Sequence, residues 1–309
     1  MFLTDHPKGG IAKLSENDLT NVGSCGVCGC TVFEQLAIYR ENPKIHFVRC
    51  TKCGAVTYDK MLKQSVIDEI YDDNQYYDDT AEEGNVTFYG VERFGKHLLK
   101  CFRNVVIKEK CKILDFGGGD GAVSYTLAQM LKKQHPNTNF EVTVVDYTQM
   151  LFKSTDESIK MSHTFPLEKI PDSDKYDIII ASAVMEHIPV PKNVFLKLFS
   201  LVQNGGMIYF RTPYRYPLHK VAKYFNIDFD MLYPGHIWDF GGDKWWRKLP
   251  QIIGLKNEIE IVSSKPSIVE KSFKTHFLIA LASYVLKAPW FICHLWPYVG
   301  GWEAIYKKC

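Results

Sequence analysis

Residues 112–121, Lys-Ile-Leu-Asp-Phe-Gly-Gly-Gly-Asp-Gly, constrain the fold of this 309-residue chain more than any other stretch. A short apolar run reads as a buried strand, the glycines break it, and Ala122–Lys133 follows with helical periodicity. Gly117, Gly119 and Gly121 fall at alternating positions, so the backbone can come close to a ligand lying at the helix N-terminus, where amide groups await acceptors. Asp115 stands at the strand end, directly before the glycines. A diphosphate would gain nothing from that carboxylate, and the third glycine of the dinucleotide spacing is missing, so a nicotinamide-type site is disfavoured. A cationic ligand suits the turn.

The pattern of alternating strand and helix continues. Phe140–Val145 reads as a second strand ending in Asp146-Tyr147, and an acidic residue there, roughly 20–30 residues after a glycine turn, can accept ribose hydroxyls. Tyr147 is placed to pack beside a base. Tyr176–Ala181 is a buried strand leading into Ser182–Pro189, followed by helix Val194–Val202, the turn Asn204-Gly205-Gly206, and strand Met207–Arg211. Glu258–Val262 and Trp302–Lys307 read as a last strand pair. The predicted fold is α/β: a Rossmann-like, doubly wound, mostly parallel seven-stranded sheet, with a helical stretch near Val91–Val106 before it.

LDFGGGDG, VVDY, YDIIIASAVMEHIPVP and LVQNGGMIYFRTP stand in the order of the class I S-adenosylmethionine (SAM)-dependent methyltransferase motifs, and residues 112–213 resemble that family. The resemblance implies SAM as cofactor, held by Asp115, Gly117, Gly119, Gly121, Asp146, Tyr147 and Ala183. Asp115 and the glycine turn would take the methionine moiety and Asp146 the ribose.

Cys25-Gly-Val-Cys28 and Cys50-Thr-Lys-Cys53 are two C-x-x-C pairs separated by 21 residues, each followed by glycine. That spacing predicts a tetrahedral four-thiolate Zn2+ site with no open position, a structural metal that folds a module too small to build a core of its own. Thr31–Tyr39 and Ile45–Arg49 read as strands around a turn at Glu41–Lys44, a small N-terminal zinc-ribbon module, with Cys30 and His46 as substitute ligands. Two C-x-x-C pairs and the Tyr76-Tyr77 segment together resemble a bacterial subgroup in which a zinc ribbon precedes the methyltransferase domain, several of whose members modify sugars. The expected organisation is a ribbon over 1–65, a linker with helices over 66–110, and the methyltransferase domain over 111–309.

Composition excludes several classes. Thirty-seven basic residues nearly balance thirty-five acidic ones. Eight carboxylates with no Lys or Arg lie between Asp68 and Glu83, so no nucleic-acid partner is expected. Nine cysteines, an odd number in clusters, fit a reducing compartment, and the first thirty residues show no signal peptide. Both point to the cytoplasm.

Methyl transfer to a hydroxyl needs a base beside the strand tips. His187 is the first candidate, because imidazole titrates near neutral pH, with Glu186 beside it and His236 as runner-up. Ten of the 33 residues from Tyr214 to Trp246 are aromatic, which predicts an acceptor lid over 212–250 in which Asp239 and Asp243 help hold a sugar or another small-molecule acceptor. A sugar hydroxyl is the expected target. The alternatives are an RNA or protein acceptor, or a non-catalytic SAM-binding adaptor. The apolar insertion at 270–298 is too interrupted to span a membrane; a buried helix or a homodimer contact is favoured over a peripheral membrane contact.

Overall fold

The computed structural model describes residues 15–66, 90–147, 151–152, 156–224, 236–271, 273–274 and 276–309. The acidic run 68–83, with Tyr71, Tyr76 and Tyr77, lies outside the described residues, as do Phe225, Phe229 and Tyr233 of the aromatic stretch.

The cysteine module is built from β1 (Leu19–Asn21), β2 (Phe33–Glu41), β3 (Lys44–Cys50), β4 (Val56–Tyr58) and β5 (Lys60–Leu62). β2, β3 and β4 form an antiparallel sheet, and β1 pairs with β5. β2 starts and ends two residues later than the apolar pattern suggested. Gly29 (φ +71°) and Gly54 (φ +79°) adopt the left-handed conformation needed to fold each C-x-x-C pair back on itself. Tyr39, Phe47 and Tyr58 then pack ring against ring at 4.9–5.2 Å between centroids.

The catalytic-type domain follows as α1 (Val91–Cys101), β6 (Lys110–Phe116), α2 (Ala122–Gln134), β7 (Asn139–Val145), β8 (Ile159–Thr164), β9 (Tyr176–Ser182), α3 (Pro191–Leu201) and β10 (Val202–Tyr214). After these come α4 (Tyr216–Tyr224), α5 (Asp243–Ile253), β11 (Ile259–Pro266), α6 (Phe277–Lys287) and β12 (Gly300–Lys308). The seven strands run in the order β11-β12-β10-β9-β6-β7-β8, and β6 through β10 pair in parallel while β12 is antiparallel to both neighbours. Helices on both faces bury the sheet, which is why Ile178, Ile179 and Ile180 of β9 can follow one another without a polar residue. One core layer holds Phe94, Leu98, Leu127 and Leu131, the other Phe195, Phe199, Trp245 and Trp246.

Four features bear on the sequence expectations. β8 has no apolar run, because it is an edge strand with polar Lys160, Ser162 and His163, and it is absent from the sequence pattern. The cysteine module shares a core with the larger sheet: Cys25, Val27, Cys50 and Ala55 belong to the same buried cluster as Phe195, Trp238 and Phe240. The aromatic stretch is mainly core, since Tyr216, Trp238, Phe240, Trp245 and Trp246 are all buried and Phe240 and Trp245 lie 4.9 Å apart. The apolar helix α6 is the reverse: Ala280 is its one buried residue among those described. Its reading as a buried helix therefore fails.

Candidate functional site

The carboxyl ends of β6, β7, β9 and β10 meet at one edge of the sheet, where parallel α/β folds place ligands. At β6, Gly117, Gly119 and Gly121 all take positive φ (+70°, +59° and +82°). Three positions of the loop are closed to a side chain: a Cβ on Gly117 would lie 2.6 Å from Val184, on Gly118 2.4 Å from the Asp115 carboxyl carbon, and on Gly121 2.6 Å from Val144. Asp115 thus lies directly beneath the loop, buried, and its Oδ2 has no hydrogen-bond partner among the described residues. Burial pushes its carboxyl up from the usual 3.8 to about 7, with the Asp146 and Asp120 carboxylates adding to the rise and Ser124 opposing it. A cation arriving at the loop would supply the missing partner, so the residues fit the methionine end of a sulfonium cofactor.

At the tip of β7, the Gly119 amide donates to Asp146 Oδ2 at 2.8 Å, so Asp146 ties the glycine loop to the second strand. Next to it, Tyr147 and Phe165 rings lie 4.2 Å apart, and His163 Nε2 hydrogen-bonds the Asp146 carbonyl at 2.8 Å. Tyr147, His163, Thr164, Phe165 and Lys169 line a hollow of about 540 Å³. Phe165 and His163 escaped the sequence reading because His163 lies in, and Phe165 directly follows, the unrecognised edge strand β8.

Beyond β9 the chain turns sharply. Ala183 is the described non-glycine residue with positive φ (+57°), and its amide donates to the Arg211 carbonyl of β10 at 2.8 Å. That conformation normally costs an L-residue about 1 kcal/mol or more, and it turns residues 184–187 over the sheet edge. Arg211, itself buried, holds the turn by donating from Nε to Ser182 Oγ at 2.8 Å and pairing with Glu270 at 2.6 Å. No motif flagged Arg211.

The three catalytic candidates come together here. His187 and His236, 49 positions apart in the chain, have ring centroids 4.6 Å apart, and ligand atoms of Glu186, His187 and His236 all lie within 4.8 Å of one another. The main chain explains the meeting: the Glu186 carbonyl accepts the amides of Ile237 (2.7 Å) and Trp238 (3.1 Å). Glu186 is fully buried, neither carboxylate oxygen has a partner among the described residues, and burial lifts it to about 7 against the pull of Arg211 and Arg215. Burial, and then the charges of His187 and Arg215, hold His236 well below the ordinary imidazole value, so it is neutral. Asp239, in contrast, accepts the amides of Arg215, Tyr216 and Gly241 at 2.7–3.1 Å, and Asp243 pairs with Arg247. Both carboxylates are thus engaged within the chain.

The cysteine module abuts this turn. Lys192 donates its amide to the Gly26 carbonyl at 3.1 Å, Val56 of β4 exchanges two 2.9 Å bonds with Asp239, and Thr57 Oγ1 donates to the Ile237 carbonyl at 2.9 Å. Within the module, Cys25 and Cys53 sulfurs lie 3.6 Å apart and Cys28 and Cys50 sulfurs 3.4 Å, and none of the four is in a disulfide. Thiolates on one tetrahedral zinc lie about 3.8 Å apart from Zn–S bonds of about 2.3 Å, so the set fits that ion. The Cys25 sulfur beside it, and burial, drive the Cys53 thiol far up without a cation. Cys30 lies toward Val32 and Thr51, and His46 is bonded to Asp59 at 2.6 Å; neither joins the four.

A family model described as a methyltransferase domain matches residues 89–253. Arsenite methyltransferase of Mus musculus is 26% identical over 118 residues, 34% of this chain and 31% of that protein. Ubiquinone biosynthesis O-methyltransferase of Bordetella avium (strain 197N) is 27% identical over 114 residues, 34% of this chain and 44% of that protein. The chain thus spans about a third to under a half of the length of these curated relatives. Among solved structures, the N-methyltransferase NodS from Bradyrhizobium japonicum WM9, in complex with S-adenosyl-L-homocysteine (SAH), covers 78% of this chain and 97% of its own, with 12% identity and a TM-score of 0.44.

Proposed function

Because the chain belongs to the methyltransferase-domain family, its model covering residues 89–253, we propose that it transfers the methyl group of SAM to a hydroxyl of a small-molecule or glycan acceptor, most simply a sugar. The observation that carries the cofactor is Asp115: a buried carboxylate with one unsatisfied oxygen under a loop of three left-handed glycines. A diphosphate would meet repulsion there; an ammonium would pair. Asp146, at the tip of β7 and bonded to Gly119, takes the ribose hydroxyls, and the Tyr147–Phe165 hollow takes the adenine. When bound, SAM supplies an electrophilic methyl group, and the chain's own residues must orient the acceptor and remove its proton.

His187 is the proposed base for that proton. His236, kept neutral by burial, packs against the His187 ring, and Glu186 at the back of the pair stabilises the positive charge that develops on His187. Cys25, Cys28, Cys50 and Cys53 would hold Zn2+ with four thiolates, a closed shell that would fold the module and leave no position for water.

Calorimetry with SAH tests the cofactor: the chain is expected to bind it, and Asp115→Ala to lose at least tenfold in affinity. Failure of the unmodified chain to bind SAH or SAM sinks the reading. His187→Ala is expected to lower turnover about a hundredfold with SAH affinity unchanged; an unaltered turnover number removes His187 from the chemistry.

A further inference from the structure

The most unusual surface of the molecule is α6 and the turns after it. Phe277, Leu278, Ile279, Leu281, Val285 and Leu286 are exposed along the helix, and Phe291, Ile292 and Leu295 continue the patch, with Ile292 92% and Leu278 76% accessible. A helix that is apolar on most of its circumference is stable when something covers it. At 11 residues α6 is about 16 Å long, and among the described residues no helix is long and apolar enough to cross a membrane.

Charge selects among the occupants. No Asp or Glu occurs between Glu270 and Glu303, while Lys271, Lys274, His276, Lys287 and His294 do. Lys287 is spent inside, donating to the Ser267 carbonyl; Lys274 is exposed at the start of the helix. A two-fold partner would set Lys274 and the cationic ends of this segment against their own copies, like charge facing like. An anionic surface neutralises them. We propose that α6 and residues 288–296 form a monotopic anchor that lies in the headgroup layer of an anionic lipid bilayer, apolar side chains inward and Lys274 against the phosphates.

The anchor is fixed to the domain, not hung from it. Lys287 is tied to Ser267, whose amide donates to the Gly301 carbonyl at 3.0 Å, and Gly301 pairs with Pro213 at the carboxyl end of β10. Docking therefore sets the orientation of the sheet edge that carries the site.

The full chain should be sedimented with vesicles of phosphatidylcholine alone and of phosphatidylcholine containing one third phosphatidylglycerol. Binding is expected to the anionic vesicles, to fall about tenfold or more in the double variant Leu278→Asp/Ile292→Asp, and about fivefold in Lys274→Glu. All of these positions are exposed, and unchanged SAH affinity verifies that the variants fold. If neither vesicle is bound, or both equally, the proposal is overturned. It is overturned equally if ultracentrifugation shows a dimer that the double variant dissociates while vesicles are ignored, since the face then joins two copies. SAH binding is read separately, so this proposal and the cofactor assignment can fail independently.

Discussion

Two apolar regions of this chain exchange the places that their composition suggests. Residues 236–253, rich in aromatics and interrupted by charges, are core: Trp238, Phe240, Trp245 and Trp246 fill the space between α3, β10 and the cysteine module. Residues 277–295, strongly apolar but for Ser283, Lys287 and His294, are mostly surface. The difference lies in what each segment can do with its polar atoms. Trp238 Nε1 donates to the Ile188 carbonyl at 2.9 Å, and Asp239 caps three amides, so these polar groups enter the interior matched, while the indole N–H groups of Trp245 and Trp246 are buried without a partner among the described residues. In α6 the apolar side chains point around the whole cylinder, and one neighbouring layer can cover only one stripe of it.

The largest expected effect that sharpens this contrast comes from the zinc proposed at the four cysteines. Chelation should remove zinc-binding energy on the order of 10 kcal/mol, and because Cys25, Val27, Cys50 and Ala55 share the core of Trp238 and Phe240, it should unfold the His187–His236 region as well. The measurement is tryptophan fluorescence with hydrogen exchange on a chelator titration; protection lost in residues 25–58 alone, with 236–246 still protected, would break the idea of a shared core. Next in size, Phe240→Ala should cost about 3–5 kcal/mol in denaturant unfolding, whereas Ile292→Ser should change it by less than about 0.5 kcal/mol. Equal costs at the two positions would erase the contrast.

The smallest effect concerns the glycine loop. Asp115 is raised from 3.8 to about 7 in the ligand-free chain, so its acid form predominates below that pH, and a cationic ligand must draw the proton off. SAH affinity should fall about tenfold per pH unit below 7 and level off above it. The same shift works in the opposite sense on the free protein: stability contributed by the neutral acid is present below pH 3.8 and is lost as pH rises through 7. Calorimetry at pH 6 and 8 measures the ligand side; a flat profile would mean that Asp115 is already charged.

How much of this was legible depends on which force writes each feature. β6, β7, β9, β10 and β12 are largely buried, so they stand out as apolar runs, and with β6 and β7, ended by glycine and by acid, came Asp115, Asp146 and the glycines. β8 is an edge strand whose polar side chains reach solvent, and Phe165 and His163 went unseen with it. His187 and His236 were each conspicuous, but as rivals for one role; their meeting depends on the Glu186 carbonyl gripping two amides from a distant segment, an event of the main chain that side-chain patterns do not encode. Arg211 was hidden inside an apolar strand, where its pairing with Ser182 and Glu270 becomes visible only once β9 and β10 lie side by side.

At Gly26, between the first two cysteines, a methyl group would lie 2.5 Å from the Pro189 carbonyl and 3.0 Å from both Pro191 and Trp238. Such tight threading means that the amino-terminal piece cannot be treated as an interchangeable cassette. Grafted onto another methyltransferase, it would require a host loop recut to the same profile, and even Gly26→Ala would pry apart the two halves of this one.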